Sequence, residues 1–182
     1  MHPQIETLLG ELDAASASAA TLGADVDETA FHARPTSGGW SAAECLVHLS
    51  LTTAGLLPRI DAALDAGRPG VADDHRYGRG IVGSLLARSM EPPVRMRSRT
   101  IAAFIPDSTG SRDEVVAAFE RSQTALAERL RRASGLNLDR LRIASPFSAR
   151  VKYNVYAAFC ALLAHERRHL WQAGQAIAEA AN

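Results

Sequence analysis

Residues 153–180 read YNVYAAFCALLAHERRHLWQAGQAIAEA, and this stretch decides the fold. Val155 to Ala164 is an unbroken apolar run of ten residues, about half of the ~20 that a membrane-spanning helix needs. A segment apolar nearly all round suits a helix buried against several neighbours, so residues from about Tyr153 to Ala180 are expected to form the central helix. Charges enter after Ala164. There His165 and His169 fall at i and i+4, where helical side chains stack with Cβ atoms ~6 Å apart and two imidazoles can face one metal ion.

Three more helices precede it. Ser111-Arg-Asp-Glu114 reads as a capping box, with Val115, Phe119, Leu126 and Leu130 near one face and a stop at Gly135. Ser41-Ala-Ala-Glu44 opens another helix, which continues to about Ala66 with Gly67 as its stop. The first spans about Pro3 to Leu22, where Ile5, Leu8, Leu9 and Leu12 follow helical spacing. Residues 23–40 and 136–152 read as loops. Residues 67–110 are a long stretch rich in Gly, Pro and Arg, and a connection of that length lets the second and third helices run parallel. Within it, Gly80 to Ser89 suits a short helix and Val94 to Ile101 an extended segment over the bundle. The expected fold is all-α, a four-helix bundle with a long crossover between helices two and three, in one domain over residues 1–182.

Composition narrows the function. Twenty Lys and Arg balance twenty Asp and Glu, so the one-sided basic field that nucleic acid requires is missing. An apolar share of 47% and a charged share of 22% exclude a disordered chain. Met-His-Pro-Gln-Ile-Glu has neither a basic start nor an apolar signal core, and Cys45 and Cys160 are too few and too distant for a disulfide framework. A soluble cytoplasmic protein is expected, with no nucleic-acid or membrane partner.

His165-Glu-Arg-Arg-His169 also spells the zincin protease signature, in which the glutamate activates a metal-bound water. A metzincin third ligand would need residues that Gln172 and Gln175 displace, and downstream only Glu179 is available as a carboxylate ligand. A third ligand is better sought on the second helix. His48 lies there on an interior-looking face with Cys45, Leu51 and Thr52, and with His165 and His169 completes a three-nitrogen set of the kind bundles use to hold metals. Glu44 is explained by its capping box, and Cys45 by packing as a small hydrophobe. His2, His32 and His75 are expected to be solvated, and Trp40 and Trp171 to pack the bundle end. Arg68, Arg76, Arg79, Arg88, Arg95, Arg97 and Arg99 outnumber the acids around them and are expected to cover the open face of the metal, favouring anionic substrates. Gln172 is placed to orient a bound group. Gly78-Arg-Gly80-Ile-Val-Gly83 matches a dinucleotide fingerprint, but no buried strand precedes it, so the match is read as chance.

On Gly39-Trp40-Ser41-Ala-Ala-Glu44-Cys-Leu-Val-His48-Leu and His165-Glu-Arg-Arg-His169-Leu-Trp-Gln172, the sequence resembles the DinB-like superfamily of metal-binding four-helix proteins, and more closely its DinB-2 branch. The resemblance implies an up-down-down-up bundle with a metal triad of His48, His165 and His169, holding one divalent ion, typically nickel or zinc. It further implies a small-molecule substrate and, among characterised relatives, transferases and isomerases that use a low-molecular-weight thiol such as mycothiol or bacillithiol. The leading expectation is a metal-dependent thiol transferase. A hydrolase using metal-activated water is the alternative, and a metal-binding module without turnover, as a homodimer that senses or stores a ligand, is a third. Glu166 is expected at the rim of the site, paired with an arginine.

Overall fold

The computed structural model describes residues 1–24, 26–72, 74–93, 100–107 and 109–181. Helices dominate it, beginning with α1 (Pro3–Ala24), whose first free amides, of Ile5 and Glu6, are taken by the His2 carbonyl. The loop expected at 23–40 contains a five-residue helix, α2 (Glu28–His32), which Asp27 caps and which sinks Phe31 completely into the core. One helical turn carries too little periodicity to be read from sequence.

The two capping boxes form as read. Ser41 and Glu44 cap α3 (Ala42–Asp65), and Ser111 and Glu114 cap α5 (Arg112–Ala133), each serine accepting from the glutamate amide while the glutamate side chain takes the serine amide. Gly135, at φ +84°, turns the chain after α5 in the left-handed region that suits glycine. Between these helices lie α4 (Gly80–Met90), close to its expected bounds, and a 3₁₀ turn at Ala102–Phe104. The segment expected to be extended, Val94 to Ile101, lies largely outside the described residues. Among the described residues no strand precedes the Gly78–Gly83 run. Gly83 serves close packing instead, since a Cβ there would lie 2.3 Å from that of Ala157.

The central helix, α6 (Val155–Ala180), starts two residues later than expected, because Lys152–Asn154 (β2) pairs antiparallel with Arg142–Ala144 (β1), Ile143 facing Tyr153. Asn154 then caps α6, accepting from the Ala157 amide at 2.8 Å. The all-α reading therefore holds except for this two-stranded hairpin, whose three-residue strands are too short to show alternation in sequence.

α3 and α6 each pack on α5 or α1 and on one another, and α4 lies on α6. The helix ends meet in a consistent way. The His2 amide donates to Ser134 beyond the end of α5, Gly23 at the end of α1 abuts Val116 at the start of α5, and Asp61 and Asp65 near the end of α3 hold Arg129 and Arg132 near the end of α5. Ser37 before α3 binds Glu179 at the end of α6, and Leu22 touches Gly174. Two apolar clusters fill the interior, one around Phe159, Leu126 and Ile60, the other around Phe119, Leu46 and Leu49. His2 departs from expectation. It is buried, donates from Nε2 to the His75 carbonyl at 2.8 Å and stacks on Tyr77, so it ties the N-terminus to the long connection. His75 itself pairs with Asp139, and His32 with Glu28.

Candidate metal centre

α3 carries His48 in its second turn and α6 presents His165 and His169 on one arc facing it. One ring nitrogen from each lies within 4.8 Å of the others, so the three can hold a metal ion. His48 Nε2 and His165 Nε2 are 3.1 Å apart. Two nitrogens each ~2.0–2.1 Å from one tetrahedral ion are ~3.4 Å apart, so little movement is required.

The tautomer of His48 follows from its neighbour. Its Nδ1 is 2.6 Å from the Phe104 carbonyl oxygen, which only accepts, so Nδ1 carries the proton and Nε2 turns a lone pair toward the other two rings. Burial keeps all three imidazoles neutral. It drives His165 down to about 3, with the His48 ring and the Arg168 charge adding to the effect, and pushes His169 lower still. In His48 the same burial outweighs the upward pull of the Phe104 hydrogen bond. The buried Nδ1 of His169 has no hydrogen-bond partner. Three neutral nitrogen donors, one tautomer fixed by a backbone carbonyl, fit a borderline divalent ion.

The cluster opens on a cleft of about 760 Å³. Trp40 is part of its wall rather than bundle-end packing, its ring 4.6 Å from His48 and 5.7 Å from His169, centre to centre. Trp171 and Phe147 stand half-exposed at the mouth, and Gln172 and Gln175 line the polar side. Thr100 Oγ1, also on the wall, is buried without a partner.

Two charged residues of α6 lie where the sequence reading did not put them. Glu166 is not at the rim: it is 1% exposed, its Oε1 accepts from Gln123 Nε2 at 2.9 Å on the α5 side, and it does not line the cleft. Burial raises its carboxyl to about 7 against the opposing pull of Gln123 and Arg167. The geometry thus withholds the one residue that a zincin mechanism needs. Of the crossover arginines, Arg95, Arg97 and Arg99 lie outside the described residues, and Arg68, Arg76, Arg79 and Arg88 do not line the cleft. The arginine on its wall is Arg168, from α6 itself, which donates to the Ser89 carbonyl at 3.2 Å. Its spacing, three residues after His165, was the available signal.

The weaker candidates resolve plainly. Glu44 is held by Arg34 and by Ser41, and these bonds keep its carboxyl below the usual range although burial alone would raise it. Cys45 is on the cleft wall but 1% exposed, its thiol pushed up to about 12 by burial, which makes it neither a thiolate nor a member of the histidine group.

A helical protein whose core opens on three facing histidines from two helices is a class defined by fold and site together. Within that class the family model of the DinB superfamily matches residues 11–173, which include all three histidines, and the chain belongs to that superfamily. No curated protein matches the chain, and no solved structure does.

Proposed function

We propose that His48, His165 and His169 hold one divalent ion, nickel or zinc, and that the protein is a metal-dependent enzyme transferring a low-molecular-weight thiol to an electrophile. The observation that carries this reading is the His48 tautomer, fixed by the Phe104 carbonyl so that its Nε2 lone pair faces a cluster in which one ring nitrogen of each of three histidines lies within 4.8 Å of the others beside an open cleft. When bound, such an ion supplies Lewis acidity that lowers the pKa of a thiol or a water in the cleft.

The lining favours the thiol. Glu166 faces Gln123, and Glu179 at the far end is occupied by Thr36 and Ser37, so no described carboxylate stands free beside the histidines to take a proton from water. A thiol, with pKa ≈ 8.5, needs far less help to reach its nucleophilic form than water does. Arg168 places positive charge on the wall, and Trp40 and Trp171 offer apolar faces, which together suit a small molecule with an anionic and an apolar part.

The same reading takes residues 1–182 as a single domain with the up-down-down-up bundle of the superfamily. Its support is the pairing of helix ends: α1 start with α5 end, α3 end with α5 end, and the α3 start with the α6 end. Among the described residues no helix is long and apolar enough to cross a membrane.

Metal analysis of the purified protein should give one equivalent per chain. Cobalt-loaded protein titrated with small thiols should then show a new sulfur-to-metal charge-transfer band. Metal uptake without any thiol response would favour the hydrolase, and no uptake would refute the site.

A further inference from the structure

We propose that Gly55 is a positioning residue for the histidine cluster, acting through the Phe104 ring on the carbonyl that fixes His48. The inference deepens the metal-site reading and rests on it only for its affinity readout. Gly55 lies seven residues after His48 on α3, nearly two full turns, so the two positions share one face of the helix. The 3₁₀ turn at Ala102–Phe104 touches both. Its last residue lays its ring on the bare backbone of Gly55 and its carbonyl against His48 Nδ1.

Glycine is a poor helix former, so its place inside α3 calls for a packing reason. A Cβ built on Gly55 would lie 2.6 Å from Phe104 Cε1 and 2.9 Å from Cζ, well inside the ~3.5–4.0 Å of ordinary carbon contact. Phe104 is 5% exposed and meets the Phe147 ring edge-on at 5.9 Å, so its ring is packed within the fold and has little room to swing aside. Any side chain at position 55 therefore lifts the turn, and the 2.6 Å bond to His48 is lost or lengthened. Without it the His48 proton is free to move to Nε2, where it blocks the lone pair that faces His165.

The test uses full-length protein labelled with 15N-histidine. Long-range proton–nitrogen spectra of the metal-free wild type should show His48 as the Nδ1–H tautomer, and Gly55→Ala should give a mixture with Nε2–H. Cobalt affinity should fall by roughly ten- to a hundredfold, the usual effect of losing a ligand's supporting partner. Adding Phe104→Leu to Gly55→Ala removes the clashing ring atoms but keeps the carbonyl, and should restore both readouts to within about threefold of wild type. Should Gly55→Ala fail to fold, Phe104→Ala unseats the same turn with Gly55 intact and should give the same tautomer mixture. A wild-type tautomer and affinity in Gly55→Ala would overturn the inference, as would a loss that Phe104→Leu does not rescue. If the wild type takes up no cobalt while the tautomer shift appears, the metal reading falls and the role of Gly55 stands.

Discussion

Replacing Glu166 with glutamine should leave fold, metal and turnover in place. The wild-type carboxyl is 1% exposed and accepts one hydrogen bond, from Gln123 Nε2 at 2.9 Å. Its Oε2 and the Gln123 Oε1 are both buried acceptors without a donor. A glutamine keeps an acceptor where Oε1 stands and adds an amide that can serve the stranded Gln123 oxygen, so stability should change by less than about 1 kcal/mol, in the favourable direction. Glu166→Ala removes the acceptor, strands the Gln123 amide and leaves a cavity between α5 and α6. The two costs together come to roughly 2–4 kcal/mol. Urea denaturation followed by circular dichroism, with metal content measured on the same samples, separates the variants. A fall of about a hundredfold in turnover for Glu166→Gln with metal retained, the size expected for a lost general base, would refute this assignment and restore the protease-like mechanism.

Single alanine replacements of His48, His165 and His169 should each lower bound metal, and at a metal concentration a hundred times Kd each should forfeit about 2.7 kcal/mol of stability; unchanged stoichiometry in all three would remove the site. The Arg129 hydrogen bond, with Arg132 beside it, holds the Asp61 carboxyl below its ordinary range. Stability from a depressed carboxyl is present above its unfolded pKa and goes as pH falls through the folded one, so Asp61→Asn should cost about 1 kcal/mol at neutral pH and progressively less below pH ~4. Equal stability of the two proteins at pH 7 would show the pair contributes nothing. Nickel or cobalt should quench Trp40, whose ring is 4.6 Å from that of His48, so Trp40→Phe should abolish most of the fluorescence response to metal. A response that persists there and vanishes in Trp171→Phe would place the ion elsewhere.

What sequence made legible follows the length of each signal. The two capping boxes, at Ser41 and Ser111, lie within four residues and involve backbone groups that must be satisfied wherever a helix starts, so they hold regardless of tertiary context. His165 and His169 were legible for a related reason, since an i, i+4 pair shares a face by helix geometry alone, whereas His48 was legible from its place on an interior-looking face of α3. The five-residue α2 and the three-residue strands escaped because one turn, or one and a half alternations, is shorter than any period. They form because Phe31, Ile143 and Tyr153 are buried by elements distant in sequence. His2 was misjudged on the same ground. A terminal position suggests solvent, yet the ring finds the His75 carbonyl and the Tyr77 face, contacts made 73 and 75 residues away.

Glu166 and Arg168 were open to a better reading, and the reason bears on mechanism. At about 100 degrees per residue, taking His165 as zero, His169 stands near +40, Gln172 near −20, Ala176 near +20 and Arg168 near −60. All four line the cleft. Glu166 stands near +100, among Leu162, Ala173 and Phe159, which are buried. A central helix has no rim on that side, so a carboxylate there must find a partner within the core, and Gln123 on α5 supplies it. The same rotation that brings the second histidine to the metal carries the intervening glutamate about a quarter turn from the first. Whether it reaches the reacting centre is then decided by what the neighbouring elements put at that angle. In a zincin that angle opens on substrate. Here it opens on a buried amide, while Arg168, on the other flank of His165, lines the cleft. On α6 the rotation that serves the second histidine thus puts Arg168 rather than Glu166 on the cleft wall next to the histidines, and the thiol chemistry proposed above rests on that placement.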